Sequence, residues 1–537
     1  MDCRAIAFSK LPQQSKLFVR YAENFSQVRH FYENPPAISS VRKVGRSLSF
    51  SEERRKDVAA ILREQNSRFG AGEGTFESLK RLEQGALAVV TGQQAALFTG
   101  PAYSIYKALT AVRVAQNLTR MGLSAVPVFW IATEDHDVAE VNHCGWLAAR
   151  NLSRLELDAH DAEGRPAGSI PLGEGILPLL ERAVGTLEGE AAGQVEAWLR
   201  ESYAPSETYG SAFGKLMARV FTGHGLILLD PMDKGLHRAA GGVYRRALTG
   251  HGLLTEALLR RNQEIERAGF RAQVKVSRQN TLLFLMQGER RVPLRTRNGK
   301  LAAGDEVFEE KELAELAAAE PWRFSPSALL RPVVQDALLP TVCSIAGPAE
   351  IAYYAQSSVL YENLEESMPV ILPRAGFTIV ERAQRKLLER YGLDMADVWA
   401  GRQSVRRRME TQALPSALAR SFDRGAKDLE DSLNRIEKPM TKLDRTLAGA
   451  AETARRKMTY QLDKLRRKAG RASDFRKGVL AEHEGQLFDS LFSEHALQER
   501  SLCFLPFLAR HGETLLGELL KRAGLKAKPR HQVLFLD

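Results

Sequence analysis

Cysteine is scarce in this chain: Cys3, Cys144, Cys343 and Cys503 are spread through 537 residues, with no Cys-x-x-Cys pair. That pattern excludes a disulfide framework or zinc knuckle and fits a reducing compartment. Long apolar runs are also missing, since none approaches the roughly 18 residues that span a bilayer. The opening MDCRAIAFSKLPQQ has no apolar signal core, so secretion is not expected and a cytoplasmic location is. The glycine-rich Gly70-Ala71-Gly72-Glu73-Gly74 follows no strand and precedes no Gly-Lys-Ser/Thr, so it reads as a linker and not a phosphate loop. An acidic excess is lacking too. The net charge is +11, much of it in Arg406–Arg408, Arg455–Lys457 and Lys464–Lys468, where it reads as the solvated face of helices.

What is present is densest between Ala86 and Cys144. Ala86–Val90 is a short apolar run that ends in Thr91-Gly92-Gln93-Gln94, and Gly100-Pro101 then opens a helix. Its apolar residues Ile105, Ala108, Leu109, Val112 and Ala115 recur at spacings of three and four. Ala125–Ala132 is apolar on both faces, as a buried parallel strand requires, and breaks into Thr133-Glu134-Asp135-His136-Asp137. The unit is βαβ, and ligands of open α/β sheets sit beyond the carboxyl ends of the strands. Both strands deliver polar clusters to that edge.

TGQQAALFTGPAYSIYKA and VPVFWIATEDHDVAEVNH closely resemble the BshC family, the cysteine ligases of bacillithiol synthesis. The resemblance continues through LLRPVVQDALLPTVCSIAGPAEIAYYAQ (Leu329–Gln356), PVILPR (Pro369–Arg374) and ERSLCFLPFLARHG (Glu499–Gly512), and so covers most of the chain. It implies condensation of L-cysteine with glucosaminyl malate. Amide formation from a free carboxylate is uphill in water, so the acid must be activated, with ATP as the expected source. No recognised ATP motif is present, and adenylate and acyl phosphate both stay open.

The expected fold is α/β, with a Rossmann-like, nucleotidyl-transferase-like core, helical insertions and a coiled-coil domain. Residues 1–80 read as a helical segment packing on the core, and 81–380 as that core, with insertions at about 150–220 and 235–325. Residues 381–500 read as a helical arm, and 501–537 as a return to the core. Within the core, Gly225–Asp230, Gln273–Val276, Thr281–Met286, Val292–Arg295, Val342–Ile345 and Pro369–Leu372 read as β segments, and Pro348 opens a helix. In the arm, Leu429, Leu433, Ile436, Met440, Leu443, Leu447, Ala450 and Ala454 alternate steps of four and three, and Met458, Leu462, Leu465 and Ala469 continue the stripe with a change of phase. As one helix these 41 residues would reach about 60 Å, with Pro439 as a kink or break.

Candidate site residues follow from the strand ends. Asp135, His136 and Asp137 are the catalytic candidates: carboxylates around an imidazole can supply a general base that deprotonates an amine or thiol. A helix cap accounts for one of these acids but not for all. A metal held by His136 with Asp135 or Asp137 and His143 ranks second, because the cluster has one histidine and no helical HxxxH, and no metal is assigned. Gln93 and Gln94 are candidates for substrate contact, with Tyr103, Glu134 and Asn142 beside them. Thr99, Gly100 and Lys107 are candidates for nucleotide binding at a helix N-terminus, where a purely structural turn is the competing reading. Arg331, Gln335 and Asp336 form a proline-bounded group in which the arginine could fork onto a carboxylate such as the malyl group. Glu350, Tyr353 and Gln356 share one side of a helix, and Arg374 is either a salt-bridge residue or a substrate clamp. Cys144 beside His143 is not expected to be a nucleophile, because neighbours on a strand face opposite sides.

The small-molecule partners implied are L-cysteine and glucosaminyl malate, together with a homodimer through the coil. Two other classes compete. One is a synthetase-like RNA-binding protein with a basic arm, disfavoured because residues 381–500 offer few aromatics: Tyr391, Trp399, Phe422, Tyr460, Phe475, Phe488 and Phe492. The other is a non-catalytic dimeric scaffold, disfavoured by the polar clusters at successive strand ends.

Overall fold

The computed structural model describes residues 2–149, 151–159, 162–364, 366–412, 416–473, 477–524 and 529–536; Phe475 lies outside them. The chain divides into two units. The larger comprises Arg4–Thr378 and Gln498–Val533, and the smaller is built mainly from Ile379–Leu497.

The larger unit is built on a five-stranded parallel sheet. Its strands are β1 (Leu87–Gln93), β2 (Ala125–Ile131), β3 (Ile227–Leu229), β4 (Thr341–Ala346) and β5 (Val370–Pro373). The order is β5-β4-β1-β2-β3. Every residue of β2, β4 and β5 is buried, as is β1 up to Thr91, which matches their mainly apolar composition. Four helices matter for the site: α1 (Tyr103–Arg120), α2 (Lys234–Thr249), α3 (Arg331–Leu338) and α4 (Pro348–Asn363). On one side of the sheet, Val89, Val114, Leu118, Val342, Val370 and Leu372 share a core with Val41 from the helix Ile38–Ser47. The chain leaves β1 for β2 on one side and returns to β4 on the other. The carboxyl ends of β1 and β4 therefore flank the topological switch point, where a crevice opens.

A second, antiparallel sheet includes Asn280–Gln287 paired with Arg290–Arg297 and with Phe324–Pro326. Its register shifts between Asn280 and Phe284, where buried Leu282 adopts φ +66°. A branched residue there is strained, and such a bulge redirects the side chains that follow. The segment Gln273–Val276, expected as β, is not a strand. The Gln356 side chain takes both backbone groups of Val274, its oxygen accepting from the N–H (2.9 Å) and its amide donating to the carbonyl (2.8 Å). With those groups satisfied, Val274 needs no neighbouring strand.

The smaller unit is helical. Its long helices α5 (Ser416–Leu443) and α6 (Leu447–Ser473) run antiparallel, as Arg466 bonding Asp423 and Arg455 bonding Glu430 and Glu437 require. The apolar stripe is thus folded back on itself, and the expected 41-residue helix is two. Pro439 lies inside α5 and does not end it. The break falls at Asp444, whose carboxylate accepts from the Thr446 N–H and hydroxyl at 2.8 Å each. An aspartate bonding the backbone two residues on offers the chain an alternative to the helix. At about 1.5 Å per residue, the 28 residues of α5 reach about 42 Å.

Candidate active site

A cavity of about 560 Å³ opens at the switch point. Its floor comes from the β1 and β4 ends, Gly92, Gln93 and Gly347 among them, and its walls include Glu134, Asp135 and His136 after β2, Phe284 and Arg291 from the second sheet, and Arg331 on α3. Gly92 is needed because a Cβ there would stand 2.8 Å from the Trp130 carbonyl.

Among the candidates, Gln93, Gln94, Tyr103, Lys107, Glu134, Asp135, His136, Arg331, Glu350, Tyr353 and Arg374 line this cavity. Gln94 donates to Asp135 Oδ2 (2.7 Å), while Asp135 Oδ1 accepts from the His136 backbone N–H (2.8 Å). Lys107 is fully engaged: Nζ donates to the Gly92 carbonyl (2.7 Å) and Gln93 Oε1 (2.9 Å) and pairs with Glu350 Oε2 (2.5 Å). Burial pushes its ammonium down from the usual lysine range, against the pull of Glu350. With its three donors satisfied, Lys107 braces the floor and has none left for a nucleotide phosphate. Glu350 is held in turn by the Gly347 N–H (2.7 Å). Arg374 forks onto Glu499, at 2.9 and 2.7 Å, with both side chains buried. It is the salt-bridge residue of the two readings, and its charge is neutralised within the fold.

Arg331 is different. It donates to Gln335 Oε1 (2.9 Å) and contacts the Tyr353 hydroxyl (3.3 Å). Among the described residues no carboxylate lies within ion-pair distance of it.

Seven candidates do not line the cavity. Asp137 is exposed beyond the strand end. Asn142 donates to the Leu157 carbonyl (3.1 Å) and Gln356 anchors Val274, so both serve local structure. Gln335 supports Arg331, and Asp336 accepts from Gln335 and from the Tyr361 hydroxyl. Thr99 and Gly100 fail as a phosphate cradle. Thr99 is fully buried, Gly100 N–H donates to Leu97, and the Ala102 N–H at the start of α1 donates to Leu502 (2.7 Å). Pro101 forms an isolated β-bridge with Cys503. The helix terminus that looked open in sequence is therefore covered by the returning chain, and these residues do not fit a nucleotide.

The residues that sequence reasoning missed come from distant segments. Arg291 donates through Nη1 to His136 Nδ1 (2.9 Å), through Nε to Ser325 (2.6 Å) and through Nη2 to the Pro326 carbonyl (2.7 Å), and its guanidinium stacks 3.7 Å from the Phe284 ring. A charged donor on Nδ1 leaves Nε2 to carry the ring's proton. Burial, reinforced by Arg291, pushes His136 below the usual histidine range, against Asp135 and Asp137. The carboxylates expected to favour imidazolium are outweighed. Exposed Arg500 lies over the Tyr103 ring at 6.0 Å and also lines the cavity. The signal for it was present in the ERSLCFLPFLARHG motif, but its place was not.

Among the described residues no group of three or more His, Cys, Asp or Glu side chains is placed to hold a metal ion. Cys144 is buried, and a hydrogen bond with Cys503 together with burial pushes its thiol well above the usual range, the opposite of an activated nucleophile. No described helix is long and apolar enough to cross a membrane.

A Rossmann-like domain followed by a coiled-coil domain is also the order in which two known family models match the sequence. Residues 1–375 match the family model for the N-terminal Rossmann-like domain of bacillithiol biosynthesis BshC, and residues 377–536 match that for its C-terminal coiled-coil domain. A protein of Koribacter versatilis is 38% identical over 99% of both chains, and one of Solibacter usitatus is 36% identical over 95% of this chain and 96% of its own. One of Symbiobacterium thermophilum is 33% identical over 90% of each. All three carry the name "Putative cysteine ligase BshC". Two domain models in the right order and relatives matched nearly end to end leave one conclusion: the chain belongs to the bacillithiol biosynthesis BshC family.

Proposed function

We propose that this chain is a ligase that joins L-cysteine to glucosaminyl malate by a C–N amide bond, with ATP supplying the free energy of carboxylate activation. The relatives' name supports the cysteine half of this reading. The observation that carries it is Arg331, a guanidinium set in the cavity wall with no carboxylate at ion-pair distance among the described residues. A planar fork in that position suits a carboxylate-bearing acceptor such as a malyl group. His136, holding its proton on Nε2, is a hydrogen-bond donor to the ligand, and Gln93 and Tyr103 complete the polar lining. No step is assigned to ATP through Thr99, Gly100 or Lys107, whose groups are covered or engaged. Cysteine, glucosaminyl malate and ATP incubated with the purified protein should give bacillithiol by mass spectrometry. No product in the presence of all three would refute the reading.

The helical unit is proposed to form a homodimer. Its hairpin leaves Ile436 55%, Leu443 83%, Met458 47% and Leu465 57% exposed, an apolar stripe that a second subunit would cover. Replacing Leu433, Ile436 and Leu443 with Asp puts charges into that seam, and sedimentation should then show a monomer. A wild-type chain that is monomeric at micromolar concentration rules the dimer out.

A further inference from the structure

Three carboxyl side chains line the cavity, and two of them are already committed. Asp135 uses one oxygen for Gln94 and the other for the His136 N–H. Glu350 is held by Lys107 and by the Gly347 N–H. Glu134 is the exception. Its side chain is only 12% exposed, its Oε1 is fully enclosed without a hydrogen-bond partner, and no described donor bonds to either oxygen. His237 Nε2 on α2 stands 3.7 Å from Oε1, beyond hydrogen-bond distance. A buried carboxyl left without donors is costly as an ion, and such a group facing a cavity is a candidate for proton chemistry.

We propose that Glu134 is the proton acceptor for the amine substrate: its carboxylate takes a proton from the ligand's ammonium nitrogen, whose N–H bonding pair stays behind as the attacking lone pair. The step rests on the ligase reading above. It moves the role of base away from Asp135, whose two oxygens already accept from Gln94 and the His136 N–H, and from His136, whose Nδ1 accepts from Arg291.

The surroundings fit this task. Burial pushes Glu134 up to about 8, with Asp230 beyond β3 and neighbouring Asp135 adding to the shift. Arg291 on the second sheet and Arg331 on α3 oppose it. On α2, Tyr244 contacts His237 Nδ1 at 3.3 Å, and burial pushes His237 down to about 4, so a neutral imidazole backs the carboxyl. A base with a pKa near that of the amine it serves combines a usable ionised fraction with a real driving force for proton transfer.

Glu134→Gln preserves the shape and removes the proton site. Turnover should fall about 10²–10⁴-fold, the usual loss for a general base. In the wild type, kcat/KM should rise with pH through about 8, and that limb should disappear in Glu134→Gln while Asp135→Asn keeps it. Because Glu134 ionises at a higher pH in the fold than in the unfolded chain, the variant should also unfold at higher denaturant than the wild type at pH 8. Infrared titration of the ligand-free protein should show a protonated carboxyl that ionises near pH 8 and is absent from Glu134→Gln. Wild-type turnover and an unchanged pH limb in Glu134→Gln, or the same infrared carboxyl persisting in it, would overturn the assignment. A wild-type chain that forms no cysteine amide refutes the ligase reading instead, and the infrared titration still decides where the proton sits.

Discussion

The two units treat charge and apolar surface in opposite ways. In the sheet unit, Arg374 and Glu499 are each 5% exposed and locked in a bidentate pair, and β4 and β5 are buried along their whole length. In the helical hairpin, Arg455 meets Glu430 and Glu437, carboxylates 50% and 34% exposed, while Leu443 stands 83% in solvent. Burial turns a charge into a structural commitment, whereas exposure leaves it nearly neutral in energy and leaves the apolar stripe free for another surface. A site that must hold charged groups at fixed geometry belongs in the first environment, and the cavity is there.

The comparison breaks most sharply at Glu499. Removing its carboxylate by Glu499→Ala strands Arg374 as a buried cation and also takes the acceptor from the Phe377 N–H (3.1 Å). Breaking such a pair typically costs about 3–5 kcal/mol, so the urea midpoint of the sheet unit should fall steeply. A shift no larger than that of a surface substitution would mean that the pair is not dry.

Acid should discriminate next. Burial pushes His237 and His531 down to about 4, against an ordinary value of 6.5. Below pH 6.5 the unfolded chain takes up protons that these folded imidazoles refuse, so their contribution to stability falls as pH drops from about 6.5 to about 4, by about 1.4 kcal/mol for each unit of displacement, while Glu134 contributes with the opposite sign. Replacing each histidine with Gln should flatten the dependence of the unfolding midpoint on pH in that window. A pH dependence in that window that is the same in the wild type and in both variants would show that the histidines are solvated.

Arg331→Lys tests the cavity itself. The charge stays but the fork is lost, and charge-assisted hydrogen bonds contribute about 1.5–3 kcal/mol. On the proposed ligase reading, affinity for glucosaminyl malate should therefore weaken about 10–100-fold by calorimetry. Unchanged affinity would place the acceptor's carboxylates elsewhere.

How much of this was legible in the sequence depended on sequence distance. The β1-α1-β2 unit was readable because its periodicity and its polar strand ends are local. Pro348 correctly marked the start of α4 for the same reason. Gln356 read as a substrate candidate and Arg374 as either salt-bridge residue or clamp, because their partners Val274 and Glu499 are 82 and 125 residues away. Nothing in the sequence singled out Arg291, whose place in the cavity comes from a contact with His136, 155 residues away. Thr99 and Gly100 looked like an open helix terminus because Leu502, which covers it, lies some 400 residues on. In the arm the apolar stripe was visible, but the turn was not. Pro439 drew attention as the conspicuous helix breaker, while Asp444 and Thr446, two ordinary polar residues, make the reversal.

The smallest effect is expected where the ion pairs look most numerous. Arg455 contacts Glu430, Glu437, Glu452 and Asn434, a cluster that by count exceeds the pair at Glu499. Three features discount it. Glu430 and Glu452 are half or more exposed, so water competes for them. Holding several long side chains in one geometry costs rotamer entropy, and salt screens charges at the surface. The arginine also keeps partners when any one carboxylate is removed. Glu430→Ala should therefore cost less than about 1 kcal/mol, and the loss should shrink further as salt is raised. A helical unit that unfolds several-fold more readily after this one substitution, with no dependence on salt, would mean that the Arg455 cluster is shielded from solvent. The contrast between the two units would then rest on the sheet alone.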